Sequence, residues 1–461
     1  MNAVGDRPNL IVIVVDTLRT DALGCYGGTR SRTPNFDALA RRSALFLDAY
    51  AEALPTLPAR RALYTGRRVF PSVLYEEGDS LGAVWRGWHG LYDEDLTLAE
   101  TLRDAEYTTA LVSDLHHQFR PVRNFHRGFM SWRWIRGIET DTFQTGPRSQ
   151  IYLDGYAAER YVAADDYYAI AYLQNRCHWK SEEDWPTARL FAEASGWLEN
   201  NAGENQPFYL HLESFAPHEC WDPPDNYYAP YAPPGYGGPR LFSPPPDASR
   251  LTPLELEHVR ALYSGYVAFV DAMIGRFLAA AERMGALDRT VVALVADHGT
   301  FLGERGEIGK GEGGLRRQLT QVPLLIAHPG KRWAGRRVDG FVQHPDLMPT
   351  LLDTLGVRIP SRVTGESLKP LLDAGEPSRR ERIVGGWNDH GAIRTRDWLY
   401  IGRWNPGEAY EELYDLPRDP QELDDVLLLN PALRDRFRAE LKDYVAAGWA
   451  VTKGAYCGVR P

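Results

Sequence analysis

The chain has 461 residues, longer than a single hydrophobic core usually grows, so a large domain with a smaller companion is expected. Hydrophobic residues make up 44% and charged residues 25%, the balance of an ordinary soluble globular protein rather than a disordered or fibrous one. A formal net charge of -10 argues against general nucleic-acid binding, although a local basic patch such as Arg316-Arg317 could still hold an anion if it is not simply a solvated face.

The first eight residues carry no basic segment leading into a long apolar one, and Leu10 to Val15 is too short for a signal or membrane helix. A cytoplasmic protein without membrane association is therefore expected. Cys25, Cys177, Cys220 and Cys457 are scattered and lack metal-binding spacing, which argues against a disulfide framework. No tandem repeat stands out.

Asn9 to Asp16 is a continuous apolar run ending in a carboxylate, and Thr290 to Asp297 repeats the pattern, followed by His298. Such runs read as strands buried on both faces of a parallel sheet, and ligands bind beyond the C-terminal ends of such strands. Asp16, Asp297 and His298 are thus expected at one rim, as a metal site with oxygen and imidazole ligands. Thr17 to Asp21 opens the connection to a first helix around Asn35 to Ser43.

The stretch Ala53 to Gly66 holds Thr56-Leu57-Pro58-Ala59-Arg60. Proline suits the first turn of a helix, so Thr56 is predicted just outside a helix N-terminus, where a nucleophile and an anion can meet. Arg60 lies one turn on and could hold a tetrahedral oxyanion through two parallel hydrogen bonds. Arg67 to Leu96 reads as loop at the mouth of the site. A helix at Leu98 to Arg103 and a strand at Tyr107 to Val112 follow, and then Asp114 and His116.

Phe129 to Glu204 is rich in aromatics, among them Trp132, Trp134, Tyr152, Tyr168 and Tyr172, and is read chiefly as packing of an insertion that could also shape a pocket or a subunit contact. Phe208 to Phe215 looks like another core strand and leads to Pro217-His218. Pro-rich sequence from Pro223 to Pro253 is surface loop, and Leu254 to Met284 is a long helix with one apolar face. Glycines from Gly299 to Gly314 form a flexible loop carrying Lys310. Strand character returns at Trp398 to Ile401 and Glu412 to Tyr414, and helical periodicity at Pro431 to Val445.

In this order the motifs resemble the sulfatase branch of the alkaline phosphatase superfamily. Thr56-Leu57-Pro58-Ala59-Arg60 and Leu63-Tyr64-Thr65-Gly66-Arg67 are similar to Cys-x-Pro-x-Arg and Leu-x-Thr-Gly-Arg. Thr33-Pro34-Asn35-Phe36-Asp37, Asp297-His298-Gly299, Gly309-Lys310, Asp346 to Leu352 and Glu412 to Pro420 continue the series. The resemblance implies an α/β, alkaline-phosphatase-like sandwich with a large mixed, mostly parallel sheet between helices. It places the catalytic domain at 1–369 and a small C-terminal subdomain, a short antiparallel sheet plus terminal helix, at 370–461.

It further implies that Thr56 acts as nucleophile and joins Asp16, Asp297 and His298 around one divalent metal ion. Lys310 would bridge nucleophile and anion, His218 would protonate the leaving group, and His116 would touch the substrate. Sulfatases convert a cysteine or serine at the position of Thr56 to formylglycine, and threonine fits neither conversion. An unmodified Thr56 attacking a phosphorus centre is therefore expected, as in the phosphodiesterase and lipoteichoic acid synthase branches.

Three departures qualify the match. Thr17 stands where many sulfatases have a second aspartate, which with His298 favours Mn²⁺ or Zn²⁺ over Ca²⁺ or Mg²⁺. Asp114 replaces a lysine that contacts the anion. Ser214 stands where two-metal relatives have an aspartate, so one ion is expected, and His344 is left out of the ligand set. The implied function is hydrolysis of a small anionic phosphate or phosphonate ester. The alternatives are transfer to an alcohol, sulfate-ester hydrolysis, or binding without catalysis, and a homo-oligomer is left open.

Overall fold

The computed structural model describes residues 7–72, 86–202, 206–375, 377–378, 380–404 and 410–456. The expected mouth loop falls in large part on residues 73–85, outside the described residues, as does Cys457.

Fifteen strands are labelled in chain order. They are β1 (Asn9–Val15), β2 (Ser43–Tyr50), β3 (Ala53–Leu54), β4 (Thr108–Ser113), β5 (Ser131–Trp134), β6 (Phe208–Ser214), β7 (Thr290–Ala296), β8 (Phe301–Leu302), β9 (Ile308–Gly309), β10 (Leu324–Ala327), β11 (Arg337–Gln343), β12 (Arg382–Trp387), β13 (His390–Thr395), β14 (Trp398–Arg403) and β15 (Glu411–Asp415). The main sheet has the order β11-β2-β10-β7-β1-β6-β4-β5. β10 is antiparallel to both of its neighbours, and the other pairings are parallel. This is the mixed, mostly parallel sheet expected from the resemblance.

β1 lies at the centre because its residues from Leu10 to Val15 are apolar and all are buried, as a strand covered on both faces requires. Val15 pairs in register with both Ser214 of β6 and Ala296 of β7, so three strand ends are level. The residues that follow, Asp16, Phe215 and Asp297, leave the sheet at one rim.

The Pro253–Arg283 helix is long and apolar enough to cross a membrane, yet its apolar residues are packed in the core against the Pro186–Asn201 and Pro34–Arg41 helices. A capping box between Thr252 and Glu255 starts it, with proline at the first helical position. The first helix ends at Arg41, earlier than expected, because Ser43 already belongs to β2. The Pro-rich segment is not purely peripheral: Ser243, Pro244 and Pro246 line the central cleft.

The second sheet has the order β15-β14-β13-β12-β3. Its strands from β12 to β15 pair antiparallel, but β3, the two residues just before the Thr56 helix, joins β12 in parallel through Ala53–Gly386 and Leu54–Trp387. The C-terminal sheet thus holds the approach to Thr56 in place. The terminal helix, Pro431–Tyr456, packs Phe437, Leu441 and Val445 on this sheet together with Val69 and Phe70.

Glu52 anchors this junction. It is fully buried, and its carboxylate accepts the N–H groups of Val69 at 2.9 Å and Phe70 at 3.1 Å. Burial pushes its carboxyl from the ordinary 4.5 up to about 7. The folded chain therefore keeps a proton that the unfolded chain has released, so this group's contribution is greatest below the lower value and is lost as pH rises to the upper one. Between pH 5 and 7.5 the wild type should lose up to about 3 kcal/mol from this source. In Glu52→Gln that slope should disappear, as chemical denaturation at the two pH values would read.

Candidate functional site

The Thr56–Thr65 helix is buried along its whole length. Pro55 occupies the N-cap, so Thr56 is the first helical residue and does not lie just outside the helix as expected, and Pro58 is the third. Gly66 closes the helix at φ 62°, a left-handed conformation that suits glycine at this position. Its N-terminal turn opens into a cleft of about 420 Å³ lined by Thr56, His117, Glu139, His218, Glu219 and Lys310 among others.

Behind Thr56 lies a fully buried charge cluster. Arg60 donates through Nε to Glu213 at 2.6 Å and through Nη1 to Asp297 at 2.6 Å and the Thr56 carbonyl at 3.1 Å, while Nη2 lies 3.0 Å from Asp16. This overturns the expected oxyanion fork: the guanidinium is spent on three carboxylates and one carbonyl. Burial works against its charge, but Glu213, Asp297 and Asp16 hold it well above its ordinary value. Glu213, whose charge Arg60 balances, is also met by Tyr64, Gln118 and His211, so its oxygens are hydrogen-bonded as a buried carboxylate requires.

Asp16, Asp297 and His298 do come together, with one ligand atom from each inside 4.8 Å. Thr17 sits at φ 59°, a strained conformation for a β-branched residue. That strain lets its N–H reach Asp297 at 3.0 Å while its hydroxyl donates to Asp16 at 2.6 Å. Thr17 therefore orients the two carboxylates.

Burial, and then the Asp297 charge, push Asp16 well above the usual carboxylate range. Asp297 is the ionised partner: although burial opposes its charge, His298, Arg60 and the Thr17 N–H hold it below that range. His298 Nδ1 donates to the Gly299 carbonyl at 2.9 Å, which leaves the Nε2 lone pair 3.4 Å from Asp297 Oδ2. His298 Nε2 is buried without a hydrogen-bond partner, and Asp16 Oδ2 has the Arg60 Nη2 ion pair at 3.0 Å. Asp16, whose ionisation the Asp297 charge opposes, and an imidazole nitrogen turned toward Asp297 form a donor set that a divalent cation fits.

Across the cleft, Lys310 Nζ donates to His218 Nε2, and His218 Nδ1 faces the Glu219 carbonyl and, at 3.2 Å, its carboxylate. Burial lowers the His218 pKa, so the ring is a neutral acceptor toward Lys310 in this arrangement. Lys310 is delivered by the β8–β9 hairpin and not by a flexible loop. Gly309 is required there twice over: its φ is 81°, and a Cβ would lie 3.0 Å from Glu219 Oε1.

Other expectations are corrected. His116 is buried behind the cleft wall, its Nε2 within 3.1 Å of Thr140 Oγ1 and 3.3 Å of Arg120 Nη2, and the adjacent His117 lines the cleft instead. Asp114 accepts the Phe215 N–H at 2.6 Å inside the core, and burial raises its carboxyl to about 7. Cationic lining comes from Arg120 as well as Lys310. His344 is spent on the Ala296 carbonyl at 3.0 Å. Arg316 is no solvated residue: it is buried and paired with Glu412 and Glu307. Of the aromatics named in the insertion, Tyr168 lines the cleft, Tyr172 binds the buried Asp222, and Trp132 and Tyr152 are exposed.

Comparison with known proteins agrees with this architecture. The family model described as Sulfatase matches residues 8–357, and that described as N-sulphoglucosamine sulphohydrolase, C-terminal, matches 315–446. An arylsulfatase of Clostridium perfringens is 26% identical, covering 91% of this chain and 90% of its own. The multifunctional alkaline phosphatase superfamily protein PehA of Trinickia caryophylli is 27% identical over 81% of this chain and 78% of its own. The crystal structure of a phosphonate monoester hydrolase of Agrobacterium radiobacter superposes with a TM-score of 0.72 at 24% identity, covering 96% of each chain.

Proposed function

This chain belongs to the sulfatase family of the alkaline phosphatase superfamily, and on that footing we propose that it hydrolyses small phosphate or phosphonate esters with unmodified Thr56 as nucleophile. The observation that carries the reading is the placement of a threonine, which cannot become formylglycine by the recognised routes, in the cleft beside the Asp16, Asp297 and His298 cluster.

Asp16, Asp297 and His298 would hold one divalent cation, which supplies Lewis-acid stabilisation and lowers the pKa of a nearby hydroxyl. The imidazole in the set favours Mn²⁺ or Zn²⁺. Arg60 and Thr17 fix the carboxylates, and the free N–H groups of the helix N-terminus favour an anion beside Thr56. Lys310 holds the ester's anionic oxygens.

Thr56 Oγ1, its proton lost to solvent, forms a bond to phosphorus as the bond to the leaving oxygen breaks. The proton shared by Lys310 Nζ and His218 Nε2 goes to that leaving oxygen. Water then attacks the phosphothreonine, a proton returns to Thr56 and another restores the pair. Excess alcohol competing with water would yield a transfer product by the same route.

A panel of aryl phosphodiesters, phosphonate monoesters, phosphomonoesters and aryl sulfates tests the reading. Phosphodiesters or phosphonates are expected to exceed sulfates in kcat/KM by at least about 100-fold, close to 3 kcal/mol in transition-state binding. The names of relatives favour a second reading, sulfatase activity. A preference for aryl sulfates would establish it and overturn the first.

A further inference from the structure

The cleft has a second group of metal-ligating side chains, drawn from segments other than those that carry the Asp16 cluster. His116, His117 and Glu139 bring one ring nitrogen each and a carboxylate oxygen within 4.8 Å of one another. His116 follows β4, and Glu139 lies beyond β5, so two neighbouring strands of the main sheet deliver them. We propose that these three residues form a separate binding site for a late divalent transition-metal ion of the zinc class, with its open position facing the cleft.

Geometry argues first. Glu139 Oε2 lies 3.4 Å from His116 Nδ1 and 3.0 Å from His117 Nε2. Ligands on a tetrahedron with the bond lengths usual for zinc stand about 3.3 Å apart. The two rings are 3.9 Å apart between centroids, so two imidazolium ions at this spacing would repel, whereas two neutral rings can share a cation.

An unpartnered atom argues second. His116 Nδ1 is buried without a hydrogen-bond partner in a residue only 3% exposed, and it faces the carboxylate of Glu139, itself 5% exposed and met by His117. The shorter contact of His116 Nε2, to Thr140 Oγ1, suits an outward N–H that fixes the ring and turns the Nδ1 lone pair toward Glu139. Glu139 is held at φ 49°, a conformation uncommon outside glycine, in the place where its carboxylate meets both rings.

Two imidazoles and one carboxylate form a donor set for zinc and its neighbours rather than calcium or magnesium. Three protein ligands leave a position for water or substrate. His117 and Glu139 line the same cleft as Thr56, His218 and Lys310, so that position would take an oxygen of the ester away from its reacting centre. The metal site goes beyond the proposed hydrolysis and does not depend on it; only its contact with an ester rests on that reading.

The test is Zn²⁺ titration of chelator-stripped full-length protein, with bound metal counted by elemental analysis. Wild type should bind two equivalents, Glu139→Gln and His117→Ala one each, and Asp297→Asn one. Glu139→Gln and His117→Ala should keep the wild-type circular dichroism spectrum, so that lost metal is not lost fold. A single equivalent that vanishes in Asp297→Asn but survives in Glu139→Gln would overturn the proposal, as would two equivalents retained in His117→Ala. A single equivalent lost in Glu139→Gln and kept in Asp297→Asn would support this site while contradicting the one behind Thr56.

Discussion

Thr56→Ala is expected to lower turnover by a factor on the order of 10⁴ or more, the scale seen when a covalent nucleophile is removed. The fold should survive, because Arg60 binds the backbone carbonyl of Thr56 and not its side chain. The carboxylates and imidazole behind it are contributed by other segments, so the metal equivalent assigned to them should be kept. Thr56→Ser keeps a hydroxyl and should retain measurable activity. Undiminished turnover by Thr56→Ala would remove the nucleophile from the account.

The second large effect concerns stability. Arg60→Met should cost about 3–5 kcal/mol, because it leaves Asp16, Asp297 and Glu213 buried with no guanidinium among them. A cation bound by Asp16 and Asp297 offsets part of that loss, but Glu213 is turned toward Tyr64, Gln118 and His211 and keeps its uncompensated charge. Chemical denaturation should therefore show a large loss with added metal and a larger one without it. An arginine whose role was to grip substrate would give the opposite pattern, a raised KM in a protein of normal stability.

These predictions mark where the sequence could be read and where it could not. The ends of β1 and β7 were legible because an apolar run that stops at a carboxylate has few structural meanings, and both runs did so. The mostly parallel sheet followed from the same runs and the family frame. The role of Arg60 was not legible, since i, i+4 spacing locates it on the face of Thr56 without revealing the three carboxylates packed beneath.

Glu213 carries a signal in the sequence itself. A carboxylate inside an apolar strand must be paired, and the residues around it include the arginine that pairs it. His116 and His117 are neighbours in a short 3-10 turn, and adjacency alone cannot say which ring faces the cleft. β3, two residues long, has no periodicity to detect, yet it ties the C-terminal sheet to Thr56. Thr17 looked like a lost ligand, and its left-handed backbone makes it a donor to both carboxylates.

The most direct measurement is an acid-quenched single-turnover reaction with a phosphodiester or phosphonate ester, followed by peptide mass spectrometry. The account predicts a phosphoryl or phosphonyl adduct on Thr56 that forms and decays at rates consistent with turnover. Turnover without any such adduct, or with an adduct on another residue, would contradict it.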